Sequence, residues 1–149
     1  MSATAQFAFM AALHTLWDAG LDVPVHDGPK IVDKSSYTGV WVGHDPFAED
    51  GKVVDTEQDW AQMGNRRKDE TGTVTCSIAS WSGDTDTIKR TQRVTELLSE
   101  CEALVRADIT LAGVVQFCNV VQTSSLYRQL TDQGNEVVCV FAVSYKARI

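Results

Sequence analysis

Positive charge is scarce in this sequence: 13 lysines and arginines stand against 20 acids, for a formal net charge of −7. Direct binding of nucleic acid calls for concentrated Lys and Arg that displace counterions, so that class is disfavoured. The only basic run, Arg66-Arg67-Lys68, is followed at once by Asp69-Glu70. Long apolar runs are missing too, and no stretch approaches the ~20 residues a membrane helix needs. The apolar start "MSATAQFAFMAALHTLW" has no Lys or Arg before Lys30, whereas a secretory leader opens with cations. The expectation is a soluble protein of the cytoplasm, with no membrane partner.

Histidine and cysteine are few and scattered. His14, His26 and His44 show no HxxxH spacing, and Cys76, Cys101, Cys118 and Cys139 contain no CxxC pair. Each cysteine sits among apolar residues, where the side chain acts as a small hydrophobe. Phosphate cradles of the GxxxxGK[ST] or GxGxxG type do not occur. Ser82 in "WSGD" lacks the first glycine of a nucleophile elbow. Asp84 and Asp86 begin a calcium-loop spacing that Ile88 and Lys89 break. No catalytic residue, metal site or cofactor is expected.

What is present is a chain of 149 residues, the size of one domain, read as a single unit over 1–149. Ala3 to Ala19 reads as a helix, with Phe9, Leu13 and Leu16 in one apolar row and Phe7, Ala11, His14 and Trp17 beside it. Gly20 stands where a left-handed helix stop belongs. Two short strands follow, at Val23–Val25 and Tyr37–His44, the first closed by the turn His26-Asp27-Gly28-Pro29. From Asp45 to Gly64 periodicity disappears, which predicts a long inserted loop with Trp60 either anchored or waiting for a partner.

From Thr71, Val74, Cys76 and Ile78 alternate with Thr73, Thr75 and Ser77 in the two-residue period of a half-buried strand. Val74, Cys76 and Ile78 are expected to face the helices, with Thr73, Thr75 and Trp81 toward solvent or a neighbour. Asp84 or Thr85 can cap a second helix. Its apolar face carries Ile88, Val94, Leu97, Leu98, Cys101, Leu104 and Val105. A strand from Val114 to about Gln129 and another from Glu136 to Arg148 complete a C-terminal hairpin. The last strand is apolar on both faces: Val137, Cys139, Phe141, Val143 and Tyr145 on one, Val138, Val140 and Ala142 on the other. Such a strand is buried on both sides or covered by another subunit. The predicted fold is α+β: a mostly antiparallel sheet with two helices packed on one face, a long inserted loop and a C-terminal β-hairpin.

Five blocks carry a family resemblance: "VPVHDGP" at 23–29, "VWVG" at 40–43, "RRKDETGTVTCSIASWSGDTD" at 66–86, "RADITLAG" at 106–113 and "LTDQGNEVVCVFAVSYKARI" at the end. In order and spacing they resemble the tail terminator (tail-completion) proteins of long-tailed bacteriophages, over nearly the whole chain. The resemblance implies a non-enzymatic subunit of the virion, assembled in the host cytoplasm, that closes into a ring, typically a hexamer. The ring caps the tail tube, stops addition of major tail tube protein and presents a face to the head-completion connector. DNA passes through its centre without specific binding. Site residues here rest on inferred exposure: Trp60, Arg66, Arg67, Lys68, Trp81, Asp84 and Asp86 are expected at subunit or tube interfaces. The basic run is expected to pair with Asp84 and Asp86 across a junction or, alternatively, within the chain. Other readings are a head–tail neck connector and a small acidic enzyme or metal-binding module using His26, His44 and Asp45.

Overall fold

A computed structural model of the chain describes residues 3–61, 67–131 and 134–149, with backbone alone at 121–123 and 131. In chain order the elements are α1 (Gln6–Gly20), β1 (Val25–Asp27), β2 (Tyr37–Val42), β3 (Val54–Trp60), β4 (Lys68–Ser82), α2 (Thr87–Ala107), β5 (Phe117–Thr131) and β6 (Gly134–Arg148). The strands form one sheet of six in the order β1-β2-β4-β6-β5, with β3 also paired to β4. Every pairing is antiparallel except β1 with β2. The α+β architecture read from the sequence is the one observed.

β4 organises the sheet. Its residues 68–74 pair with β3 and its residues 76–81 pair with β2, so two strands follow one another along one side of it. On its other side β6 runs the full length, from Asp69↔Arg148 to Ser82↔Asn135. Alternation sends Val74, Cys76 and Ile78 of β4 inward with Val137, Cys139, Phe141, Val143 and Tyr145 of β6. There they meet Phe9, Leu13 and Trp17 of α1 and Val94, Leu97, Cys101 and Val105 of α2. Phe9 stacks on Tyr145 with centroids 4.4 Å apart, and the Trp17 indole N–H donates to the Cys101 carbonyl at 3.3 Å.

Several local expectations give way to packing. Phe7 and Ile88, read as members of apolar helix faces, are 77% and 76% exposed because, at 3.6 residues per turn, each stands far round its helix from the rows that pack inward, Phe9-Leu13-Trp17 and Val94-Leu97-Cys101-Val105. Gly20 ends α1 without a left-handed residue: the cap is Leu21 at φ −99°, and a Cβ at Gly20 would come within 2.7 Å of Leu104. Close approach of the two helices, not a turn, is what the glycine serves. Asp86, rather than Asp84 or Thr85, caps α2, accepting from the Lys89 backbone N–H at 3.0 Å.

The patternless stretch 45–64 contains a strand. β3 escaped the alternation test because its inward positions, Thr56 and Gln58, are polar while Asp55, Glu57 and Asp59 point outward. What β3 covers is a buried carboxylate, described below, so it has no apolar face to betray it. Residues 62–64 of that stretch lie outside the described residues.

The second face of β6 has a partial cover from its own chain. Val138 and Val140 pack with Trp41, Ala79, Tyr37, Trp81 and Val32. The connection between β1 and β2 straps across this cluster: the Trp41 indole N–H donates to the Lys30 carbonyl at 3.2 Å and that of Trp81 to the Lys34 carbonyl at 2.8 Å. Two indoles thus bury their rings while their N–H groups hold the strap.

Candidate functional site

Glu70 is the most unusual side chain in the molecule, fully buried in β4. Its Oε1 accepts from Thr4 Oγ1 at 2.6 Å and Gln58 Nε2 at 2.7 Å, and its Oε2 accepts from the Ala5 backbone N–H at 2.9 Å and the Tyr145 hydroxyl at 2.7 Å. Burial opposes ionisation, but these donors outweigh it and hold the carboxyl below the ordinary glutamate value. Burial and the neighbouring carboxylate push the Tyr145 hydroxyl up. Gly72 makes the cluster possible, since a Cβ there would sit 2.5 Å from the Tyr145 ring. The first turn of α1 has no acidic residue and no side-chain cap of its own. Glu70 supplies negative charge there from 65 residues away, where the helix dipole favours it. It is an anchor that ties α1 to β3, β4 and β6. The sequence held one signal for it: Glu70 shares the parity of the inward-facing Gly72, Val74 and Cys76.

The residues singled out from sequence fall at two separate ends of β4. Trp60 and Lys68 are register partners, the ammonium 5.3 Å from the ring centroid, and Trp60 is 66% exposed. The Arg67 carbonyl accepts from the Ala61 N–H at 3.1 Å, and Arg66 lies outside the described residues. At the other end, Trp81 packs on Tyr37 (5.3 Å) and Trp41 (6.3 Å), part of the strap cluster rather than a free surface ring. Asp84 pairs with Arg90 and accepts from Asn135 Nδ2 at 3.0 Å; those bonds hold its carboxyl down to about 2. Asp86 is occupied as the α2 cap. Lys68 and Asp84 are separated by the length of β4, about 50 Å at 3.4 Å per residue. The two carboxylates therefore already have partners in their own chain, and Lys68 does not reach them within it.

Two of the histidines are engaged within the fold. His14 Nε2 lies 2.9 Å from the Val25 carbonyl oxygen, and His26 Nε2 lies 2.7 Å from the Tyr37 hydroxyl, its imidazole pKa lowered by burial and by Lys30. Burial also lowers His44, against the opposing pull of Asp45. Among the described residues, no three His, Cys, Asp or Glu side chains converge on a point. All four cysteines are free and buried; burial lifts Cys76 to about 12 and Cys118 to about 11, leaving unreactive thiols.

A groove of about 430 Å³ runs over the helix-free face between Asp55 and Glu57 on one bank and Phe117 and Lys146 on the other, floored by Thr71, Thr73 and Ser144. Beyond it, β5 forms the sheet's outer edge, and its residues 124–130 are exposed without interruption. Leu126, Tyr127 and Leu130 are among them. On the opposite margin lies β3, with Asp55, Glu57 and Asp59 exposed and Lys52 bonded to Asp55 at 3.1 Å. The arrangement defines a small helix-backed sheet whose two lateral margins are the exposed strands β3 and β5. No protein-family model matches this sequence, and comparison with curated proteins likewise finds no match.

Proposed function

We propose that the chain is a structural, non-enzymatic subunit that closes into a ring with identical copies and ends the tail tube of a long-tailed bacteriophage. The observation that carries the reading is the outer strand: residues 124–130 of β5 are exposed on both faces, Leu126 and Leu130 among them, while the ring of Tyr127 meets Phe47 at 4.2 Å. A lone subunit gains nothing from such an edge, which is an aggregation hazard unless something covers it. A heterologous contact that closes by rotation covers it in every copy and yields a ring. Such a ring binds the last layer of tube protein with one face, halts further addition, and offers the other face to the head-completion connector. The net charge of −7 supports a lumen through which DNA slides without adhering. In the virion its place is the head-proximal end of the tail.

Negative-stain electron microscopy of the purified protein, alone and mixed with tail tubes, tests this. Rings in solution, or rings seated on tube ends, are the expected result. Protein that stays monomeric at tens of micromolar and leaves tube ends bare overturns the proposal, and retention on the portal in place of the tube reassigns the ring to the neck.

A further inference from the structure

We infer that the contact joining neighbouring copies is an antiparallel β-strand addition, with the outer edge of β5 in one copy pairing with the outer edge of β3 in the next. The inference rests on the ring reading and specifies its interface. Four features of the molecule support it.

The first is direction. β3 and β6 both run antiparallel to β4, and β5 runs antiparallel to β6, so β5 is parallel to β4 and antiparallel to β3. A copy added by rotation, with its helices on the same side, therefore presents β3 to β5 in the antiparallel sense. The second is length: β3 spans 7 residues and matches the uninterrupted exposed run 124–130. β1, the other strand on that margin, has only 3 residues.

The third is chemistry, face by face. On the helix side β5 presents Leu126 and Arg128, opposite the inward Cys139 and Val137, and Leu130 follows in the same parity. The same side of β3 carries Val54 and the exposed Trp60 as apolar counterparts, with the polar Thr56 and Gln58 between them to face Arg128. On the helix-free side β5 presents Ser125, Tyr127 and Gln129, all hydrogen-bond donors. There β3 presents Asp55, Glu57 and Asp59, all acceptors.

The fourth is the lack of edge protection. Residues 124–130 hold no proline and no lysine; Arg128 is their one charge, and the bulge between Val120 and Ser124 precedes the run.

Disulfide trapping tests the pairing, because opposed strands hold Cα atoms at 4.5–5.5 Å, within reach of a disulfide. Glu57→Cys is combined in one chain, in turn, with Ser125→Cys, Tyr127→Cys and Gln129→Cys, covering three registers that keep the faces matched. All four positions are exposed, and the buried native thiols stay out of the oxidation. The expected result is a ladder of covalent multimers on a non-reducing gel for at least one double variant, ending at the ring number. Each single variant stays at monomer mobility. A covalent dimer from Gln129→Cys or Tyr127→Cys alone would mean β5 pairs with itself, and overturns the inference. Rings seen by mass photometry with no ladder in any double variant leave the ring reading standing and remove this interface. Neither rings nor ladders, with tail tubes present, removes both.

Discussion

β5 and β6 are equal in length, 15 residues each, and are paired from Phe117↔Lys146 to Thr131↔Gly134, yet their environments are opposite. β6 lies between two strands, with α1 and α2 on one face and the strap cluster on the other, so Val137, Val138, Cys139 and Phe141 are all buried. Their partners in β5, Arg128, Tyr127, Leu126 and Ser124, are all exposed. Burial here is a matter of position in the sheet, not of strand propensity. The central strand holds the domain together, and the outer strand is available to a neighbour.

Truncating the central strand has the largest predicted effect. Phe141→Ala, which leaves a cavity against Trp17, should lower unfolding stability by about 3–5 kcal/mol, read from denaturant midpoints. Equal stability in the variant would mean that β6 is not the keystone. Next comes the anchor: Glu70→Gln should cost about 1–3 kcal/mol, because an amide cannot accept from every donor that surrounds the carboxylate.

A pH titration sharpens the same point. Glu70 has its pKa lowered in the fold, so its contribution is fully present above the ordinary value of 4.5 and is lost as pH falls through the lower folded value. Wild-type Tm should therefore drop more steeply than that of Glu70→Gln as pH falls from 4.5 to the folded value; parallel curves there would remove Glu70 from the account. Smallest of all is the outer strand. Leu130→Ser should change monomer stability by no more than about 0.5 kcal/mol, since Leu130 is 69% exposed. The same change should weaken assembly, measured by mass photometry across a dilution series. A large stability loss would show that β5 has a covered role within its own subunit.

Much of this was legible in advance where apolar alternation was strong. β4, β6 and the inward rows of both helices follow from Val74-Cys76-Ile78, Val137–Tyr145 and Phe9-Leu13-Trp17. β3 was not legible, since it faces a carboxylate and α1's start instead of oil. Ile88 and Phe7 were misplaced because an apolar stripe in the sequence is wider than the row of each helix that the sheet covers. Of the expected interface residues, Trp60 and Lys68 form one pair at the surface, whereas Trp81 and Asp84 are engaged by the distant Lys34 and Asn135, and Asp86 by the local cap of α2.

By itself the sequence determined the fold class, the inward sets of the long strands and an acidic surface, because these depend on composition and on short periods along the chain. Tertiary structure alone decided that Glu70 is buried and satisfied, that β6 is central and β5 is the edge, and that the strap covers one face. Those outcomes depend on which distant segments meet, and no local period encodes a contact between residues 65 or 75 positions apart.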